Sequence, residues 1–277
     1  MESEKSAELS MREVQCAILE TLDSFIKLCD KIGIDYYLTF GSLLGAVRHK
    51  GFIPWDDDLD ICIFRDDYEK LVRYCHKQKK RLYPFSLLEY RTNKDYPYPI
   101  ARYTNQNYRA IFDNVDLPNC GAFIDVYPID VVKAPGMVYG KYLTMKRRFL
   151  KRLVEYSCYS DIPRGGSFIR FQMKKRIFQY AKHKGSKYFC YKLNKHAQKI
   201  SSRNGDCAYL AVWDNYTYRV DKSYYSSYQY GSFEGLKVKI PAGYKRILEA
   251  KYGDYMTLPS EKERVPHHHF HLFKNNI

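Results

Sequence analysis

The sequence predicts an α+β protein, a β-sheet with flanking helices and an added basic helical segment. Three observations carry this. Residues 10–32 repeat apolar side chains at helical spacing. Residues 35–129 contain short apolar runs separated by turn-forming clusters. From Gly136 to about Ile200 the pattern becomes helical and strongly basic. The 277 residues read as a single unit, with a core at about 10–135 and 205–260 and a helical insertion at about 137–204.

The first helix should start at Ser10, whose hydroxyl forms a capping box with Glu13, and continue through Val14, Ile18, Leu22, Phe25, Ile26, Cys29 and Ile32 to a stop at Gly33. DYYLTF (35–40) reads as a short strand. Gly41 and Ser42 follow it and lead into a short apolar helix, LLGAVR. After the loop HKGFIPW comes a run of acids, Asp56, Asp57, Asp58 and Asp60, entering the strand DLDICIF. A polar helix is expected at about 66–80. Strands are expected at FSLLEY, IARYT, YRAIF and AFIDVYPI, the last interrupted near Pro128. The basic helical region breaks at DIPRGG and again near HKGS. The final quarter alternates short aromatic strands with a helix at 243–252 and closes in LPSEKERVPHHHFH.

Composition excludes several classes. Hydrophobic residues at 45%, with 28 Tyr and 15 Phe, argue against disorder. No apolar run approaches the ~18 residues of a membrane span. The opening MESEKSAELS carries acids where a secretory signal carries a basic and then an apolar region, so a cytoplasmic location is expected. No two of the eight cysteines lie closer than 13 residues, which leaves no CxxC pair, and they read as reduced small hydrophobes.

Strand alternation puts Asp58, Asp60 and Cys62 on one face and Leu59, Ile61 and Ile63 on the core face. Carboxylates two apart on one strand face stand about 6.5–7 Å apart at the backbone, close enough to converge on divalent cations. Asp125 alternates in the same way between Ile124 and Val126 and is the third candidate ligand, since gathered acids repel unless a cation sits between them. Asp56 and Asp57 fit a solvated turn. Gly41 and Ser42, between a strand and a helix, suit a phosphate at the helix N-terminus. An anion cradle 16 residues before an Asp-x-Asp strand has the parts of a phosphoryl-transfer site.

The stretch FGSLLGAVRHKGFIPWDDDLDICIFR (40–65) resembles the signature of the LicD family, which includes phosphorylcholine transferases and fukutin-related proteins. FIDVYPID (123–130) resembles the family's second acidic strand, and FEGLKVKIPAGYKRILEAKYGDYMTLP (233–259) its C-terminal signature. The resemblance implies a nucleotidyltransferase-like mixed sheet. It makes Asp58, Asp60 and Asp125 ligands of Mg²⁺, with Mn²⁺ as a substitute. Gly41 and Ser42 become the phosphate loop, and Arg48, His49 and Lys50 lie near the phosphates. It further implies transfer of phosphocholine from CDP-choline to a sugar hydroxyl of a cell-surface glycan precursor (teichoic acid, lipopolysaccharide or capsule), with release of CMP. Glycerol or ribitol phosphate from another CDP-alcohol is the alternative. Asp125 or Asp57 could take the hydroxyl proton, or a loose transition state could need little base help. A quaternary ammonium calls for aromatic faces, and Trp55, Trp213, Tyr252 and Tyr255 are candidates. Glu234 and Asp254 are candidates for shaping the pocket.

The net charge of +15 has an address: residues 137–200 hold 17 Lys or Arg against Glu155 and Asp161 alone. Such a band suits an anionic surface or nucleic acid. The family's lipid-linked glycan acceptors and the apolar residues mixed into the band, Phe149, Leu150, Phe168, Ile169, Phe171 and Phe178, favour peripheral contact with the inner face of the plasma membrane over nucleic acid. A basic nucleotidyltransferase acting on RNA is the alternative of another class. His267, His268, His269 and His271 read as a surface tail rather than a metal site.

Overall fold

A computed structural model describes residues 7–113, 115–134, 136–162, 167–214, 218–265 and 270–275. The elements in chain order are α1 (Met11–Ile32), β1 (Tyr37–Leu38), α2 (Phe40–Arg48), β2 (Asp60–Phe64), α3 (Arg65–Lys77), α4 (Lys79–Leu82), β3 (Phe85–Leu88), β4 (Ala101–Asn105), β5 (Tyr108–Phe112) and β6 (Ala122–Val132). They continue with α5 (Met137–Cys158), α6 (Phe168–Lys184), α7 (Ser186–Ile200), β7 (Cys207–Tyr209), β8 (Val220–Asp221), β9 (Tyr228–Phe233), β10 (Leu236–Pro241), α8 (Tyr244–Tyr252) and β11 (Phe270–Lys274).

The sheet runs β1-β2-β6-β4-β3, with β7 added to the far end of β6 and β8 to β7. β2 and β6 are parallel and the other pairs antiparallel, so the α+β fold is built on a mixed sheet. β5 pairs with β11, and β9 with β10, outside it. The capping box at Ser10 is formed, with the Ser10 N–H donating to Glu13 at 2.8 Å, and Gly33 ends α1 at φ +62°.

Three boundaries differ from expectation, each for a physical reason. α2 starts at Phe40, so Gly41 and Ser42 lie inside its first turn rather than in a loop before it. β2 starts at Asp60, so Asp58 precedes the strand. β6 runs straight through Pro128. The Asp125 N–H donates to the Leu59 carbonyl just before β2, which turns the alternate position 128 toward β4. β4 pairs only as far as Ala101 with Val126, so the N–H that Pro128 lacks has no strand waiting for it.

Both faces of the central parallel pair are covered, as parallel strands require. Ile61, Ile63, Ile124 and Val126 pack with Ile18, Leu22 and Phe25 of α1. On the other face Cys62, Tyr127 and Ile129 meet Leu193 and Ala197 of α7, together with Ala208 and Tyr225. The expected alternation therefore holds, but the Cys62 face is core rather than open surface. Each of these aliphatic side chains contributes about 1.5–3 kcal/mol by leaving water. The basic helices share this core: Val154, Phe178, Ala181 and Phe189 belong to the same buried cluster as α1. Cys29, Cys62, Cys75, Cys120 and Cys190 are buried thiols. Residues 163–166 and 267–269, named above as a helix break and as part of the histidine tail, lie outside the described residues.

Candidate active site

The site forms where the start of β2 meets the first turn of α2. Glycines set that meeting. A Cβ on Gly45 would overlap the Gly51 carbonyl, and one on Gly41 would stand 2.7 Å from Asp56 Oδ2. Positions 41 and 45 are one helical turn apart, so their bare face lets the loop 49–56 fold back along α2. This brings the acids to the helix N-terminus, where the dipole favours negative charge.

Asp56, Asp57 and Asp58 present ligand oxygens that all lie within 4.8 Å of one another. Asp57 is buried and the other two half-buried. The three acids expected as ligands are arranged differently. Asp60 and Asp125 are direct partners in the parallel register of β2 and β6. Asp60 feels the charges of both Asp58 and Asp125, and its carboxyl is held well above the usual range, first by burial and then by those two neighbours; a hydrogen bond from the Tyr127 side chain offsets part of this. Its Oδ1 is buried and has no hydrogen-bond partner among the described residues. Asp125, by contrast, accepts from Arg102 on both oxygens, Nε at 2.7 Å and Nη2 at 3.0 Å.

Ser42 does not point outward to a ligand: its buried Oγ accepts the Asp60 N–H at 2.7 Å and so braces the start of β2. Arg48 lies seven residues beyond Gly41, about 10 Å along the helix. Its Nε donates to His49 Nε2 at 2.9 Å and its Nη1 to the Tyr255 carbonyl at 2.9 Å. Burial lowers the Arg48 pKa, and burial followed by the Arg48 charge lowers that of His49. Lys50 is exposed at φ +60° and its Nζ reaches the Val47 carbonyl at 3.4 Å, which makes it a cap for the last turn of α2. The structure thus gathers Gly41, Ser42, Asp58, Asp60 and Asp125, and leaves Lys50 apart.

Three contributors carry no expectation from the sequence, Asp56, Tyr127 and Arg102, while Asp57, a candidate base, also joins the acid cluster. The three-residue acid run was visible. Tyr127 and Arg102 carried no local signal, because only strand register places them beside the acids. Tyr252, an expected aromatic candidate, also stands beside these acids. Its phenol pKa is raised by burial and then by Asp60, Asp56 and Asp58.

Tyr252 also lines an apolar pocket with Phe40, Leu43, Tyr209, Tyr218 and Tyr225, whose charged members are Asp214 and Lys251. The Lys251 ammonium is 2.9 Å from Asp214 and stands 4.2 and 4.6 Å from the ring centres of Tyr218 and Phe40. The other aromatic candidates differ in setting. Trp213 lies edge-on to Tyr127 at 5.4 Å with Lys151 Nζ 3.9 Å from its ring centre, and Trp55 neighbours His49 and Arg264. Glu234 pairs with Arg12 at 2.7 Å and Asp254 accepts from Thr257 at 2.6 Å, so both serve local structure.

The donor set is entirely hard oxygen, which suits Mg²⁺ or Mn²⁺ rather than softer metals. The unpartnered buried Asp60 oxygen beside several like charges fits the same conclusion. A mixed α+β fold with clustered carboxylates at a helix N-terminus is consistent with a nucleotidyltransferase-like fold. Residues 33–128 match the family model for the LicD/FKTN/FKRP nucleotidyltransferase domain. It is 28% identical over 283 residues to the lipopolysaccharide cholinephosphotransferase LicD of Haemophilus influenzae, spanning 94% of this chain and 96% of that one. Over 51 residues, 18% of this chain and 10% of the other, it is 43% identical to the ribitol 5-phosphate transferase FKRP of Homo sapiens.

Proposed function

We propose that the protein transfers phosphocholine from CDP-choline to a sugar hydroxyl of a cell-surface glycan precursor, such as teichoic acid, lipopolysaccharide or capsule, with release of CMP and dependence on Mg²⁺. The observation that carries this is the cluster of acids around the unpartnered Asp60 oxygen, in a chain similar along nearly its full length to a cholinephosphotransferase. Asp58, Asp60 and Asp125, with Asp56 and Asp57 beside them, would hold Mg²⁺ or Mn²⁺. When bound, the ion offsets the charge on the donor phosphates and on the transferring group.

The chain's own residues do the rest. Backbone N–H groups in the first turn of α2, at Gly41 and Ser42, receive phosphate oxygens. Because Arg102 engages both Asp125 oxygens, Asp57 is the better placed acceptor of the sugar hydroxyl's proton. Choline as the alcohol rests on the similarity to a cholinephosphotransferase; in the aromatic pocket beside Tyr252 the cation position is filled by Lys251. The acceptor is lipid-linked, and the protein works at the cytoplasmic side of a membrane.

Ribitol or glycerol phosphate is the second reading, favoured by the 51-residue match to FKRP. CMP release with Mg²⁺ and CDP-choline, CDP-glycerol, CDP-ribitol or CTP, each with lipopolysaccharide or teichoic acid precursors as acceptor, separates the readings. Release from CDP-choline alone supports the first. Release from a CDP-polyol alone moves the assignment to the second, and nucleotide addition from CTP overturns both.

A further inference from the structure

The basic helices carry a second feature that transfer chemistry does not use. On α5, Val138, Tyr142, Met145 and Phe149 are 83%, 50%, 67% and 55% exposed. Their spacing of four, three and four residues puts them, at 100° per residue, within about 60° of arc. They form one continuous apolar stripe over more than two helical turns. Lys141 and Arg148 flank it on one side and Lys146 on the other, with Lys146 Nζ 5.8 Å from the Tyr142 ring centre. The opposite face of α5 is docked: Leu143 and Val154 are buried, and Arg147 Nη1 donates to the Trp213 carbonyl at 2.7 Å. The stripe therefore points away from the body. α6, packed on α5, adds exposed Ile169 and Met173 and contains no acidic residue.

We propose that this face of α5 docks on the surface of an anionic phospholipid bilayer. Two chemistries must be satisfied together, apolar side chains leaving water and a dense positive rim meeting negative charge. An anionic lipid surface offers both, with acyl chains below and phosphate headgroups at the level of the flanking amines. Nucleic acid would satisfy the amines and leave Met145 and Phe149 in water. A second copy would bring another 17 Lys and Arg of the same segment against the first. Among the described residues no helix is long and apolar enough to cross a membrane, so the contact is peripheral.

The docked side of α5 also links the surface to the active site. Lys151 covers Trp213, Trp213 leans on Tyr127, and Tyr127 hydrogen-bonds Asp60. A bilayer under α5 would lie behind one wall of the site, where an acceptor carried on a lipid has a short path. That last point rests on the transfer reading; the docking itself does not.

Sedimentation with vesicles tests it without any donor, so it can fail independently of the transferase assignment. Vesicles of phosphatidylcholine with about one-third phosphatidylglycerol are compared with phosphatidylcholine alone, at low and physiological salt. The expected result is binding to the anionic vesicles only, weakened at least tenfold in the double variant Met145→Glu, Phe149→Glu. That variant should melt like wild type, because both side chains are exposed, and should release CMP normally with a water-soluble acceptor. Three results overturn the proposal: no binding to anionic vesicles at either salt, equal binding by the double variant, or a dimer that the double variant dissolves. Tight RNA binding lost in the same variant would assign the face to nucleic acid instead.

Discussion

Arg102 and Asp125 face each other in register across β4 and β6, and the guanidinium meets the carboxylate through two hydrogen bonds, 2.7 and 3.0 Å long. The arginine is walled by rings, with its Cζ 3.8 Å from the Phe123 ring centre and 5.1 Å from that of Tyr98. One acid of the cluster thus has its own counter-charge. Asp60, its neighbour in the β2 register, has none among the described hydrogen bonds and ion pairs, which makes it the acid most in need of an external cation.

Replacing Arg102 with Met should destabilise the fold in urea unfolding by up to about 3–5 kcal/mol, because it leaves the half-buried Asp125 carboxylate without its partner. Turnover should fall with it. Arg102→Lys should not restore either property, since a single ammonium cannot engage both oxygens as the planar fork does. Wild-type melting and CMP release in the Met variant would show that the pair positions nothing.

Asp58→Asn and Asp60→Asn should each remove nearly all turnover while leaving the fold intact. Asp60→Asn should unfold at or above the wild-type temperature when no divalent ion is added, because burial and like charges already disfavour the ionised form. If either variant keeps more than about a tenth of wild-type activity, a loss under ~1.4 kcal/mol of transition-state stabilisation, the metal-ligand assignment is wrong.

Two glycines should behave differently. Gly45→Ala drives a methyl into the Gly51 carbonyl, so it should cost about 1–3 kcal/mol and also reduce turnover by displacing the loop that carries Asp56. Gly33→Ala meets nothing within 4 Å but must adopt φ +62°, so it should cost about 1 kcal/mol and leave turnover unchanged. Thermal melting beside CMP release checks both. Equal activity losses would remove the packing explanation.

His196 on α7 is buried, its Nε2 lacks a partner among the described residues, and burial followed by Lys146 and Lys199 pushes its pKa down to about 4. The unfolded chain takes up that proton near pH 6.5, so its contribution to stability is complete above pH 6.5 and declines as the pH falls toward 4, by up to about 3 kcal/mol. Urea unfolding at pH 7 and pH 4.5 should show His196→Gln losing less stability on acidification than wild type. An identical pH dependence would mean that His196 is protonated in the folded protein.

Much was legible before any tertiary information. The capping box at Ser10 and the αL stop at Gly33 depend on residues within one turn, so α1 could be read to within a residue at each end. Asp60 was recognisable as a misfit, a carboxylate inside an apolar strand. The first turn of α2 was misread because Gly and Ser suit loops by propensity, while here packing against the folded-back loop decides the conformation. Pro128 was read as a break because its missing N–H matters only where a neighbouring strand needs it, and that depends on where β4 ends.

By itself, the sequence determined the α+β class, the order of helices and strands around the acids, the place of Asp60 and Asp125 on apolar strands, and the basic segment. All of these follow from periodicity and from charge set against apolar surroundings within a few residues. Tertiary structure alone decided that Ser42 braces β2, that Asp125 belongs to Arg102 across a strand pair 23 residues apart in sequence, that Asp56 and Asp57 join Asp58, and that one stripe of α5 faces outward. The reason is physical: register and docking are collective results of burying both faces of the sheet, and a side chain's partner across a strand pair leaves no trace in its own neighbours along the chain.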